Sequence, residues 1–158
     1  MDNASRGPHI GHVHLKVAEL PRAIAFYRLL GFEVTQHYGT GAVFMGADGY
    51  HHHIGLNTWE SAAAPPAPAG FAGLYHLAVL YPDRHALASA LARVLEAGHV
   101  LDGAADHGVS EAVYLRDPDG NGVELYRDRA PEDWPRDATG ALQMGNARLD
   151  VAALLAEA

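Results

Sequence analysis

From Ile10 to Val17 apolar and polar residues alternate. Val13, Leu15 and Val17 face one way and His12, His14 and Lys16 the other, a period of two that predicts a β-strand. Pro21 then opens a helix over Arg22–Leu30, where Ile24, Phe26, Tyr27 and Leu30 fall near helical spacing and Gly31 ends it. Phe32–Tyr38 and Gly41–Met45 read as two strands around the Gly39-Thr40 turn, and His52–Thr58 as a fourth. The small residues and prolines of Ala62–Gly70 form a linker that cannot join a ladder. Beyond it the pattern restarts: a strand at Tyr75–Tyr81, a helix start at Pro82-Asp83 and a helix over Arg84–Ala97 stopped by Gly98. Strands follow at His99–Leu101, Ala112–Arg116 and Gly122–Tyr126, the last two split by the Asp117–Asn121 turn. After Asp128 the chain is looser and closes with a short helix over Leu149–Ala156.

Both halves therefore read β-α-β-β-β, and they can be laid over each other. His12–Glu19 superposes on His76–Asp83, and Ile54-Gly55-Leu56 on Val123-Glu124-Leu125. An internal repeat fixes architecture. The expected class is α+β, with two βαβββ repeats forming one curved mixed sheet around a metal-binding cleft and helices outside. One module spans residues 1–135, its repeats covering about 8–60 and about 71–128, and residues 136–158 are a C-terminal tail. The repeat also picks out polar residues without reference to chemistry. His12 and His76 occupy matching positions on the first strand of each half, and Glu124 lies on the face of the last strand opposite Val123 and Leu125. Two imidazoles and one carboxylate are a ligand set for Fe(II), Mn(II) or Zn(II) that leaves positions open for substrate. A strand histidine is more often a hydrogen-bonded core or surface group, and only the repeat lifts these two above that reading. His14 shares the polar side of the first strand with His12, but its repeat partner is Ala78. His9, His37, His85 and His99 fall near turns or on a helix, where solvent exposure is the default.

Composition narrows the function. The chain has 158 residues, 49% of them hydrophobic, enough for a sizeable core. A net charge of −8 without a run of Lys or Arg argues against nucleic acid or an anionic membrane as partner. Absence of cysteine excludes disulfides, thiolate metal sites and cysteine nucleophiles. Met1–His9 is polar, and nowhere do 18 apolar residues run together, so a soluble, cytoplasmic protein is expected. Three of the eleven histidines are consecutive, His51-His52-His53, and lead into an apolar stretch.

Gly11–Val17, Arg22–Tyr27 with Gly31-Phe32, His51–Trp59, Ala105–Tyr126 and Asp128–Trp134 carry a resemblance to the vicinal oxygen chelate superfamily. That superfamily includes glyoxalase I, fosfomycin- and bleomycin-resistance proteins and extradiol dioxygenases. The chain is most similar to its catechol 2,3-dioxygenase-like branch, over roughly residues 8 to 135. The resemblance implies His12, His76 and Glu124 as metal ligands, with Fe(II) favoured and Mn(II), Zn(II) or Ni(II) as alternatives. It implies Tyr114 as a contact to the catecholate and His107 as a substrate-binding histidine. His52 is implied as acid/base at bound oxygen, although strand alternation puts His53, not His52, on the side of Gly55. A bulge at His51–His53 would reconcile the two. Glyoxalase I sites add a ligand on the fourth strand, where this chain has Gly55. The implied activity is metal-dependent extradiol cleavage of a catechol-type small molecule with O2. A glyoxalase-like isomerase or thiol transferase on the same site, or a metal-free drug-binding protein, are the competing readings. Members of that branch usually carry two modules, so a homodimer is expected.

Overall fold

The computed structural model describes residues 7–158; of the polar opening read at Met1–His9, residues 1–6 lie outside the described part. The chain divides into two compact units, Met1–Pro65 and Pro66–Ala158, and the boundary falls in the proline-rich linker.

The first unit contains β1 (Val13–Lys16), α1 (Leu20–Leu29), β2 (Glu33–Tyr38), β3 (Ala42–Gly46) and β4 (Ile54–Asn57). The second contains β5 (Leu77–Tyr81), α2 (Arg84–Glu96), β6 (Leu101–Asp106), β7 (Ser110–Arg116), β8 (Gly122–Asp128), a 3-10 turn at Pro131–Asp133, β9 (Ala147–Arg148) and α3 (Val151–Leu155). Both repeats thus have the expected β-α-β-β-β order, and the class is α+β. The ladders run as two mixed sheets, β1-β4-β3-β2 and β5-β8-β7-β6-β9, where the sequence pattern had suggested one continuous sheet. The reason is local. Each first strand pairs in parallel with the last strand of its own repeat and so becomes an edge of its own sheet.

The repeat is visible in the hydrogen-bond register. Val13 pairs with Ile54 and Leu15 with Leu56; in the second unit Leu77 pairs with Val123 and Val79 with Leu125. Even the irregularities repeat. The β2–β3 ladder shifts between Val34 and Gln36, and the β6–β7 ladder between Leu101 and Gly103. Counted from the helix-ending glycines Gly31 and Gly98, these are the same positions. Such bulges bend a strand and re-aim its side chains.

Each helix seals one face of its own sheet. Ala23, Phe26 and Tyr27 of α1 are buried, as are Leu87, Leu91 and Val94 of α2. Opposite α2 stand Val113, Leu115, Val123 and Leu125, which alternation aims to one side of β7 and β8. The Asp83 carboxylate accepts from the Ala86 N–H at 2.8 Å and caps α2, which explains why the helix begins at Arg84. The tail belongs to the second unit: β9 pairs with β6, and Leu154 of α3 is fully buried. Among the described residues no helix is long and apolar enough to cross a membrane.

Candidate functional site

Tyr114, Glu124 and Tyr126 share the sheet face turned away from Val113, Val123 and Leu125, because residue pairs alternate along β7 and β8. The turn that delivers Glu124 is built on Asp117. Its buried carboxylate accepts from the N–H groups of Asp119 (2.9 Å) and Asn121 (2.8 Å) and from the Asn121 side chain (2.9 Å). Gly120 takes the left-handed conformation this turn needs, with φ +84°.

His76 stands immediately before β5. Its Nε2 lies 2.9 Å from Glu124 Oε2. Sequence reasoning missed the residue that permits this approach. A Cβ at Gly122 would sit 2.1 Å from the Tyr75 carbonyl oxygen and 3.0 Å from the His76 Cβ, so only glycine lets the chain before β5 close onto β8. The glycine pair flanking Asn121 was the signal available for it.

The other carboxylate oxygen of Glu124 accepts from the Tyr114 hydroxyl at 3.1 Å, and His107 Nε2 is 2.6 Å from the same hydroxyl. Burial, followed by the charge and the hydrogen bond of Glu124, pushes the Tyr114 phenol up to about 12, so it stays protonated at neutral pH. His107 belongs to a three-residue hairpin loop between β6 and β7. Gly108 there is left-handed (φ +77°) and the His107 N–H donates to Ser110 O at 2.9 Å. His107 Nδ1 lies 2.8 Å from the carbonyl oxygen of Gly145 in the tail, a contact for which the sequence carries no signal.

The expected residues of the first unit form a separate group of rings. His12 precedes β1, and its ring centroid is 4.5 Å from that of His52. His52 also packs on Phe44 at 4.9 Å, and its Nδ1 is 2.6 Å from His51 Nδ1. Burial and then the neighbouring His12 and His51 hold His52 below the usual histidine value. His53 is engaged elsewhere: its Nδ1 accepts from the Ala47 N–H at 3.3 Å, and its ring lies beside Tyr50 and Phe32. The strand-alternation argument for His53 does not apply, because β4 begins only at Ile54, after bends at His51 and His53. His14 fills the space over Gly55, whose missing side chain would sit 2.9 Å from the His14 ring, and it is flanked by Trp59 and Phe44. In the second repeat the same register positions hold Ala78 and Glu124, so the larger side chain lies on the first strand of one repeat and on the last strand of the other.

The chemistry of the second unit's donors fits a divalent ion. An imidazole nitrogen and a carboxylate oxygen 2.9 Å apart, His76 Nε2 and Glu124 Oε2, are donor types that suit such an ion. Among the described residues, no three His, Cys, Asp or Glu side chains come together as a group that could hold a metal ion. The structure thus brings His76, Glu124, Tyr114 and His107 together in one unit, and His12 and His52 together in the other.

Residues 9–125 match the family model described as the Glyoxalase/Bleomycin resistance protein/Dioxygenase superfamily. A catechol-2,3-dioxygenase of Bacillus subtilis (strain 168) is 41% identical over 159 residues, covering 100% of this chain and 55% of the relative. Biphenyl-2,3-diol 1,2-dioxygenase 3 of Rhodococcus globerulus is 30% identical over 129 residues, covering 80% of this chain and 67% of the relative. The chain spans about half to two thirds of the length of these curated relatives. Among solved structures, a glyoxalase/dioxygenase from Nostoc punctiforme superposes with a TM-score of 0.64 at 21% identity, over 82% of this chain and 100% of the other, a likeness of fold.

Proposed function

The chain belongs to the glyoxalase/bleomycin resistance protein/dioxygenase superfamily, and from that premise we propose that it is a metal-dependent extradiol dioxygenase acting on a catechol-type substrate. The observation that carries the reading is the linked row His76, Glu124, Tyr114 and His107. It joins a pair of metal donors to a phenol and an imidazole that can handle a substrate hydroxyl. Two relatives named for cleaving vicinal diols support it. So does Gly55, which offers no fourth protein ligand of the kind that glyoxalase I sites carry.

His76 and Glu124 would hold the ion, and His12, the repeat counterpart of His76, is carried forward as the third ligand on the strength of the repeat. When bound, the ion supplies Lewis acidity toward the two diol oxygens and, as Fe(II), the redox chemistry that O2 requires. The protein's own part can be read from its hydrogen bonds. Tyr114 holds one oxygen of Glu124, so the carboxylate keeps its other oxygen turned toward His76. As a neutral phenol it can exchange hydrogen bonds with a diol hydroxyl. His107, 2.6 Å beyond, is a base within reach of a proton passed through that phenol. His52 is assigned as the proton carrier for oxygen chemistry, a role resting on the family resemblance and supported by its packing on His12. A second copy of the chain is proposed to stand in for the other module of the longer relatives.

Requirement for oxygen separates this reading from its rival. A glyoxalase-like isomerase converts a hemithioacetal as fast under argon as in air. The proposed dioxygenase leaves hemithioacetals untouched and consumes a catechol only when O2 is admitted. Turnover of a hemithioacetal without O2, and none of any catechol, would overturn the proposal.

A further inference from the structure

Gly145, in the tail beyond Asp128, places its carbonyl oxygen 2.8 Å from His107 Nδ1. A carbonyl oxygen can only accept, so Nδ1 carries the proton, and in the neutral ring Nε2 is left bare. Nε2 is the nitrogen that faces the Tyr114 hydroxyl at 2.6 Å. We propose that the Gly145 carbonyl is a positioning group, supplied by the C-terminal tail, that holds His107 in the tautomer whose Nε2 accepts from Tyr114. This rests on the reading of His107 and Tyr114 as groups that handle the diol.

The consequence follows from counting protons. The phenol has one, and two acceptors compete for it: His107 Nε2 at 2.6 Å and Glu124 Oε1 at 3.1 Å. With Nδ1 protonated, His107 Nε2 shares the phenol proton with Glu124 Oε1 and, as the nearer acceptor, gives that proton a route onto His107. With the opposite tautomer, Nε2–H would donate to the phenol oxygen and lock the phenol proton onto Glu124. The tail therefore decides which of two hydrogen-bond directions the row His107–Tyr114–Glu124 adopts.

The carbonyl is held firmly enough for that role. The Gly145 N–H donates to His107 O at 2.9 Å, so backbone and ring of His107 are gripped by the same residue. On one side β9 pairs Ala147 with Asp106 and Arg148 with Ala105. On the other, the Gln143 N–H donates to Pro135 O at 2.8 Å, and the Pro135 ring occupies the space where a Cβ on Gly108 would sit. All these tail residues lie beyond residues 9–125, the span matched by the family model.

The tautomer can be read on the full chain, without metal or substrate, from long-range proton–nitrogen correlations of 15N-histidine-labelled protein, with His107→Asn identifying the signal. The expected result is that the neutral form of His107 carries its proton on Nδ1; a proton on Nε2, or a mixture of both forms, overturns the proposal. Gly145→Pro removes the N–H bond to His107 and displaces the carbonyl. It should convert His107 to a mixture of tautomers and lower kcat on a catechol about tenfold, with a smaller change in KM. Retention of the Nδ1–H form in that variant overturns the assignment to Gly145. If the Nδ1–H form is found and no catechol is cleaved, the dioxygenase reading fails and the tautomer assignment stands.

Discussion

Gly122→Ala is a test of how the second unit brings its two metal donors together. The new Cβ would lie 2.1 Å from the Tyr75 carbonyl oxygen, and side-chain carbons are essentially never found under 3.0 Å from another heavy atom, so the two must separate by about 1 Å. Two segments could give way. The β5–β8 ladder is pinned by Leu77, Val123 and Leu125, all buried, whereas Tyr75 is 82% exposed. The strain therefore falls on Tyr75-His76, and His76 Nε2 moves relative to Glu124 Oε2 from a starting separation of 2.9 Å. Overpacking of this kind costs about 1–3 kcal/mol in stability. Disturbing the support of a ligand weakens metal binding roughly 10- to 100-fold, or about 1.4–2.8 kcal/mol. Competition between the protein and a chromophoric chelator for Mn(II) or Zn(II), alongside a thermal melt, measures both. Gly73→Ala, where an added Cβ meets nothing within 4 Å, is the matched control and should change neither. A Gly122→Ala protein that folds and binds metal within twofold of the parent would refute the argument that glycine permits the His76–Glu124 approach.

Three further expectations follow from single contacts. Tyr114→Phe should still bind metal, up to about 10-fold more weakly because Glu124 loses a hydrogen bond, while lowering kcat on a catechol by about 10²-fold or more; ultraviolet titration should show a phenol that ionises only near pH 12 in the parent and is missing from the variant. Removing the α2 cap in Asp83→Ala should cost about 1 kcal/mol in chemical denaturation, and an unchanged midpoint would contradict it. Asp106 is subject to burial, which alone would raise its pKa, but the Gly108 N–H and the Arg129 guanidinium outweigh burial and hold it below the usual carboxylate value. Its stabilising effect is therefore present above the unfolded-state pKa and lost as pH falls through the depressed folded value. Asp106→Asn should be less stable than the parent at neutral pH, with the gap closing in acid; a gap independent of pH would count against this ion pair.

Much of the architecture was legible because it is written twice. The match of His12–Glu19 with His76–Asp83 carried the element order, and the pairing of Val13 with Ile54 and Leu77 with Val123 reproduces that match bond for bond. His76, Glu124, Tyr114 and His107 were each named from sequence, and they share one hydrogen-bonded row. The illegible parts have physical reasons. β6 extends to Asp106 rather than stopping at Leu101, because the bulge before Gly103 breaks the alternation and Gly103-Ala104-Ala105 are poor strand formers. His52 could not be placed by alternation because no strand yet exists at that point of the chain. β9 is two residues long and held by pairing with β6, so no local pattern announces it. Gly122 and Gly145 act through backbone proximity alone, which a sequence does not display.

Oxygen consumption is the most direct test of the central claim. Protein loaded anaerobically with Fe(II) is given a panel of catechols, O2 uptake is followed with an electrode, and the ring-opened product is followed by absorbance. The account predicts one O2 consumed per catechol, a yellow semialdehyde-type product, and loss of both in His76→Ala and Glu124→Ala proteins that remain folded. Fe(II) bound in stoichiometric amount with no O2 uptake on any catechol, or uptake undiminished in both variants, would contradict it.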